Sequence, residues 1–178
     1  TYAGGSRVYD GTDTAPVTAT TGGIVAGDNL LFGQTAVFTA GKNAGTGKAI
    51  SVTGIALAGT DAANYALTST TAAATGTITA KPITVSGLDA VVASDRVYDG
   101  TNVVTVTIPA NVTLVANSSD IIAGDQVSIG VPAAGTTTGT MANKNAGSNK
   151  QVAITGLTLS GSDAGNYVVA GAAGVTVN

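Results

Sequence analysis

The sequence predicts two all-β modules in tandem, and three observations carry that prediction. The first is an internal repeat: Arg7-Val8-Tyr9-Asp10-Gly11-Thr12 recurs letter for letter as Arg96-Val97-Tyr98-Asp99-Gly100-Thr101. Further echoes follow each copy in the same order. Ala26-Gly27-Asp28 answers Ala123-Gly124-Asp125, Lys42-Asn43-Ala44-Gly45 answers Lys144-Asn145-Ala146-Gly147, and Thr53-Gly54 answers Thr155-Gly156. Asp61-Ala62-Ala63-Asn64-Tyr65 answers Asp163-Ala164-Gly165-Asn166-Tyr167. A repeat of this kind sets the organisation before anything else, so residues 1–79 make the first module and 80–178 the second. The second observation is composition. Every acidic residue is Asp, with Val, Thr and Ile to suit strands and Gly, Asn and Asp to suit turns. The third is period-2 alternation in short apolar runs punctuated by glycine.

Taken in order, Thr1–Ser6 reads as a remnant with Gly4-Gly5 as a loop signal and Tyr2 ending a strand, as if cut from something longer. Arg7-Val8-Tyr9 is a short strand entering Asp10-Gly11, a tight turn in which glycine supplies positive φ and the carboxylate accepts backbone N–H groups. Val17–Thr20 is a weak strand and Leu30–Thr39 a strongly apolar one holding Phe32 and Phe38. In the next strand Ile50, Val52, Ile55 and Leu57 share a face only if Gly54 marks a bulge. Val152, Ile154, Leu157 and Leu159 repeat that pattern around Gly156. Thr60–Asn64 is the best candidate for a single helical turn, with Thr60 or Asp61 as N-cap, and Tyr65-Ala66-Leu67 resumes as a strand.

Gly76–Thr79 closes the first module and Lys81-Pro82-Ile83-Thr84-Val85 opens the second almost without a gap. Pro82 suits a strand's first residue or an edge. Strands then follow at Arg96–Tyr98, Val103–Ile108, Val112–Val115, Gln126–Val131 and Thr136–Met141, with the bulged strand, an Asn166-Tyr167 strand and Val175–Val177 closing the copy. Two insertions mark it, about eight residues ahead of Gly124-Asp125 and about five ahead of Lys144, in loop positions that tolerate them.

Composition excludes several kinds of chemistry. With no Cys and no His, there is neither a disulfide framework nor a thiolate or imidazole metal site. A net charge of -3 and seven basic residues spread over two modules argue against nucleic acid, which needs a basic patch. No apolar run approaches a membrane span and no signal-like segment opens the chain. Only 10% of residues are charged, against roughly 25% in an ordinary domain. No Ser-Lys or Asp pair stands at a spacing that singles out a reaction, so no enzyme and no cofactor is expected.

The residues worth weighing are Tyr9, Asp10, Gly11, Tyr65, Tyr98, Asp99, Gly100 and Tyr167. The tyrosines are expected as core anchors rather than a sugar-stacking platform, so that Tyr98→Ala would cost about 3–5 kcal/mol. The paired aspartates Asp10/Asp99, Asp28/Asp125 and Asp61/Asp163 could in principle bind calcium, a hard ion that takes six to eight oxygens. Each, however, sits where turns and caps want one. Lys42, Lys48, Lys144 and Lys150 recur beside Asn43, Asn64, Asn145 and Asn166, which raises an internal Lys–Asn isopeptide bond; a desolvated lysine is a nucleophile, but these flank Gly-rich loops. Thr68–Thr79 lacks the constant short spacing of an ice-binding ladder.

The ordered set of motifs, found twice over nearly the whole chain, resembles the YDG repeat and the related mostly-β-grasp (MBG) repeats of large bacterial surface adhesins of the filamentous-haemagglutinin type. The resemblance implies two elongated β-grasp-like modules with at most one short helical turn each. It also implies an extracellular, non-catalytic stalk that spaces an adhesive tip from the cell, with neighbouring repeats as partners and a host or matrix ligand elsewhere in the parent. The alternative is that the repeats themselves bind a glycan or protein, with Asn117-Ser118-Ser119-Asp120 as the suspect loop. The first copy lacks the Lys-Pro-Ile-Thr-like opening, and the family has no catalytic residues to carry over.

Overall fold

The computed structural model describes residues 1–131, 136–170 and 172–177. The chain is all-β and divides into two compact units, Thr1–Lys81 and Pro82–Asn178, against the boundary between 79 and 80 read from the repeat.

The first unit holds β1 (Tyr2–Gly4), β2 (Ser6–Val8), β3 (Val17–Ala19), β4 (Leu31–Phe38), β5 (Gly45–Ala58) and β6 (Ala72–Thr79). Four of these form a sheet in the order β2-β6-β5-β4, in which β2 runs parallel to β6 and the other pairs are antiparallel. β1 pairs with β3. Inward-facing residues of these strands and of the segment after β2 make the core: Tyr9, Ala36, Phe38, Ile50, Val52, Ile55 and Ile78 are all buried. The bulge in β5 lies where the hydrophobic pattern required it. Gly33 pairs with Ala56 and Thr35 with Thr53, so Gly54 and Ile55 oppose Gln34 alone. Gly54 takes φ 63°, a conformation glycine reaches without a Cβ penalty. The inserted residue returns Ile55 to the face of Ile50 and Val52.

The second unit holds β7 (Lys81–Ile83, whose first residue closes the first unit), β8 (Val85–Ser86), β9 (Val92–Ala93), β10 (Val103–Thr107), β11 (Val115–Ala116), β12 (Ser128–Gly130), β13 (Thr136–Met141), β14 (Lys150–Ile154), β15 (Thr158–Ser160), β16 (Tyr167–Val169) and β17 (Ala172–Val177). Its main sheet runs β17-β14-β13-β10-β9, and the pairs β11-β8, β12-β15 and β16-β7 lie outside it. Val104, Val106, Met141, Val152, Ile154, Val175 and Val177 build the core with Leu88, Val91 and Leu114.

The two units repeat one register. Gly4 faces Val17 as Ala93 faces Val106, and Phe32 faces Leu57 as Ile129 faces Leu159. Thr14 bridges Val37 as Val103 pairs with Thr140. β12 and β13, with 132–135 between them, stand where β4 stands.

Several expectations are corrected. Gly4 lies inside β1 rather than in a loop, because a Cβ there would fall 2.2 Å from the Thr75 carbonyl oxygen; the glycine permits close backbone approach. Tyr65–Leu67 forms no strand, although its counterpart β16 does; β16 has β7 beside it, and among the described residues no strand pairs with Tyr65–Leu67. Arg96–Tyr98 forms no strand either, whereas the identical Arg7-Val8 lies in β2 because β6 pairs with it. Three-residue strands are specified by their partners more than by their own sequence. Among the described residues the first unit has one short 3-10 turn, Ala62–Asn64, but the second has two, Leu88–Ala90 and Ala164–Asn166. Asp61 precedes its turn without capping it.

Candidate functional site

The repeated hexapeptide folds into a closed polar ring. Gly11 and Gly100 take φ 80° and 82°, which reverses the chain so that Thr12 and Thr101 come back over the preceding aspartate. Asp10 Oδ1 accepts the Thr12 backbone N–H at 2.9 Å and its hydroxyl at 2.8 Å. Asp99 Oδ1 accepts both from Thr101 at 2.8 Å. The arginine three residues back completes the ring: Arg7 pairs with Asp10 and donates to the Thr12 carbonyl, as Arg96 does with Asp99 and Thr101. Backbone and Arg96 donation, with the Thr101 hydroxyl, holds the Asp99 carboxyl down at about 2. At Asp10 partial desolvation opposes the shift, but donation from Thr12 and Arg7 outweighs it and the carboxyl is also lowered. The roles of Arg7, Thr12, Arg96 and Thr101 were not read from the sequence, though their identity in both copies was the available signal.

Two of the remaining motifs meet in a second cluster, again twice. The Tyr65 hydroxyl donates to Asp28 Oδ2 at 2.7 Å and accepts the Val25 N–H at 2.9 Å. In the second unit Tyr167 donates to Asp125 at 2.7 Å and accepts from Ile122 at 2.9 Å. Asp61 Oδ2 accepts the Asn29 N–H at 2.9 Å, and Asp163 Oδ2 the Gln126 N–H at 3.0 Å. The Gly-Asp loop is thus clasped to the Asp-x-x-Asn-Tyr turn, which explains why both motifs recur together. The Asp28 bond raises the Tyr65 hydroxyl's pKa.

Burial separates the four tyrosines. Tyr9 and Tyr167 are 1% and 5% exposed, and Tyr65 is half-buried. Tyr98 is 57% exposed, which overturns its expected place in the core: without the strand pairing that draws Tyr9 in through its N–H to the Thr79 carbonyl, 2.9 Å, the ring stays outside. A cavity of about 150 Å³ lined by Arg96, Met141, Lys144 and Lys150 lies beside it.

The lysines have partners within the fold. Lys42 lies over the Tyr9 ring at 5.9 Å and Lys48 over Phe38 at 6.0 Å. Lys150 Nζ donates to the Asn143 carbonyl at 2.9 Å, to Asn143 Oδ1 at 2.8 Å and to the Asn145 carbonyl. An ammonium engaged with three oxygens has no lone pair for attack on an amide. The suspect loop is also committed internally. Asp120 Oδ2 accepts the Thr84 N–H at 2.8 Å and its hydroxyl at 2.6 Å. Asn117 N–H donates to the Thr84 carbonyl at 2.9 Å, while its side-chain oxygen takes the Ser119 N–H and hydroxyl. Among the described residues no three acidic side chains gather as a metal site, and no helix is long and apolar enough to cross a membrane.

The family model for the YDG domain matches residues 1–73 and 79–174. No curated protein and no solved structure matches the chain. Two successive matches that cover almost all of the sequence, on units that repeat one register and one set of hydrogen bonds, place the chain in the YDG domain family, with two copies of the domain.

Proposed function

We propose that the two domains are non-catalytic spacer repeats of a large bacterial surface or secreted adhesin, extending an adhesive tip from the cell. The observation that supports this reading is where the polar motif residues go. In both units the aspartate and threonine groups of the Arg-Asp-Gly-Thr ring and the Tyr–Asp clasp bond to groups of the fold itself. What the repeats share is an architecture, as a repetitive array requires. With no His, Cys or Glu in the chain, the candidates for a general base are reduced to Asp, Lys and Tyr.

Such a role is extracellular, uses no cofactor and takes neighbouring repeats as its partners. It agrees with the MBG-like, β-grasp-like reading of the motifs. Small-angle scattering on the two-domain chain tests it. A distance distribution with two separated masses agrees with a spacer, and a single compact mass would count against one. Melting in calcium and in chelator checks the cofactor statement: equal Tm values are expected, and a rise with calcium would assign it a structural role.

A further inference from the structure

In the first unit an early strand and the last one lie side by side. β2 runs parallel to β6, with Ser6 beside Thr77, Arg7 beside Ile78 and Val8 beside Thr79. The Thr77 N–H donates to the Gly5 carbonyl at 3.2 Å and the Tyr9 N–H to the Thr79 carbonyl at 2.9 Å. The Thr79 hydroxyl adds a bond to the Arg7 carbonyl at 3.2 Å. Close backbone approach extends this seam ahead of β2, where a Cβ on Gly76 would fall 2.5 Å from the Gly5 carbonyl oxygen. Beyond β2 the chain is anchored twice. Tyr9 is buried in the core, and the ring of Arg7, Asp10 and Thr12 ties the departing chain back onto the strand. The Arg7 guanidinium also lies over the Phe38 ring, 5.7 Å from its centroid. Sliding β2 along β6 would therefore draw Tyr9 out of the core and Arg7 off Phe38.

We propose that the β2–β6 pair is a mechanical clamp, which makes the domain resist tension along the chain far better than tension across the same two strands. Tension carried by the backbone enters β2 at its N-terminal end and leaves β6 at its C-terminal end. Because the strands are parallel, these pulls point in opposite directions along one seam, and the bonds that cross it are loaded together in shear. Pulled apart at one end, the same strands would separate bond by bond. Forced unfolding follows the unfolding barrier rather than equilibrium stability, so the direction of load sets how long the fold survives. The antiparallel β4–β5 and β5–β6 pairs stay unloaded until the clamp yields. The use of such a clamp in a stalk rests on the spacer reading; the clamp itself follows from the topology.

The test pulls single molecules of the full 178-residue chain in two directions. The chain has no cysteine of its own, so handles attach only where one is introduced. Ser6→Cys with Thr79→Cys loads the seam in shear, and Ser6→Cys with Thr77→Cys opens it across one pair of neighbours. Both attachment pairs lie inside the first unit, so the result does not depend on what precedes or follows it. At equal force the sheared molecule should last about tenfold longer, the factor for one backbone hydrogen bond broken together with its neighbours rather than after them. Unfolding rates of the two variants in urea, without force, should agree, which assigns the difference to direction rather than to the substitutions. Equal lifetimes in the two directions, or a difference matched by the rates without force, overturn the proposal. Neither result bears on the spacer reading, which scattering tests on the whole chain.

Discussion

Asp99 shows how one side chain turns a six-residue sequence into a fixed turn. Its carboxylate gathers the Thr101 N–H and hydroxyl and the Arg96 guanidinium, and the folded pKa falls to about 2 from 3.8. A depressed carboxyl stabilises the fold above the unfolded pKa, and that contribution is lost as pH falls through the folded value. Asp99→Asn should therefore be less stable than the parent at neutral pH. The difference should shrink between about pH 4 and about pH 2 and be absent below; urea titrations across that range check it, and a gap constant down to pH 2 would contradict it. The tyrosines give a sharper contrast between identical motifs. Tyr9→Ala should cost about 3–5 kcal/mol as a buried aromatic. Tyr98→Ala, exposed, should stay within about 0.5 kcal/mol. Denaturant midpoints for both variants decide it, and equal losses would contradict the burial difference.

Elements were legible where the sequence specifies them locally. The Asp-Gly turns, the Gly54 bulge and the single helical turn at Ala62–Asn64 follow from residues a few positions apart. Gly54 has open space where a Cβ would go, so Gly54→Ala carries only the backbone penalty, about 1–2 kcal/mol. The clasp was less legible, because Tyr167 and Asp125 are joined across 42 positions of sequence; recurrence flagged the residues without showing that they touch. Tyr167→Phe leaves the Asp125 carboxylate and the Ile122 N–H short of a partner and should cost about 1–3 kcal/mol by thermal or urea unfolding. Strands that depend on a distant partner were legible only in part: Arg7-Val8, Lys81–Ile83 and Tyr167 lie in strands as read, but Arg96–Tyr98 and Tyr65–Leu67 have strand-like sequences and form none. Gly4 misled for a related reason, since its close approach to Thr75 is a tertiary fact that reads locally as a loop signal.

For the whole molecule, the duplication made the two-domain organisation and the all-β class readable before any coordinate. Function was less so, because the motifs encode turns and clasps rather than chemistry. The most direct test of the spacer reading exchanges these two domains, within the adhesin proposed to carry them, for an unrelated pair of folded domains of similar length. Surface attachment should persist with the replacement and fall when the pair is deleted outright. Attachment lost equally in both would contradict the account, and would give these domains a ligand of their own.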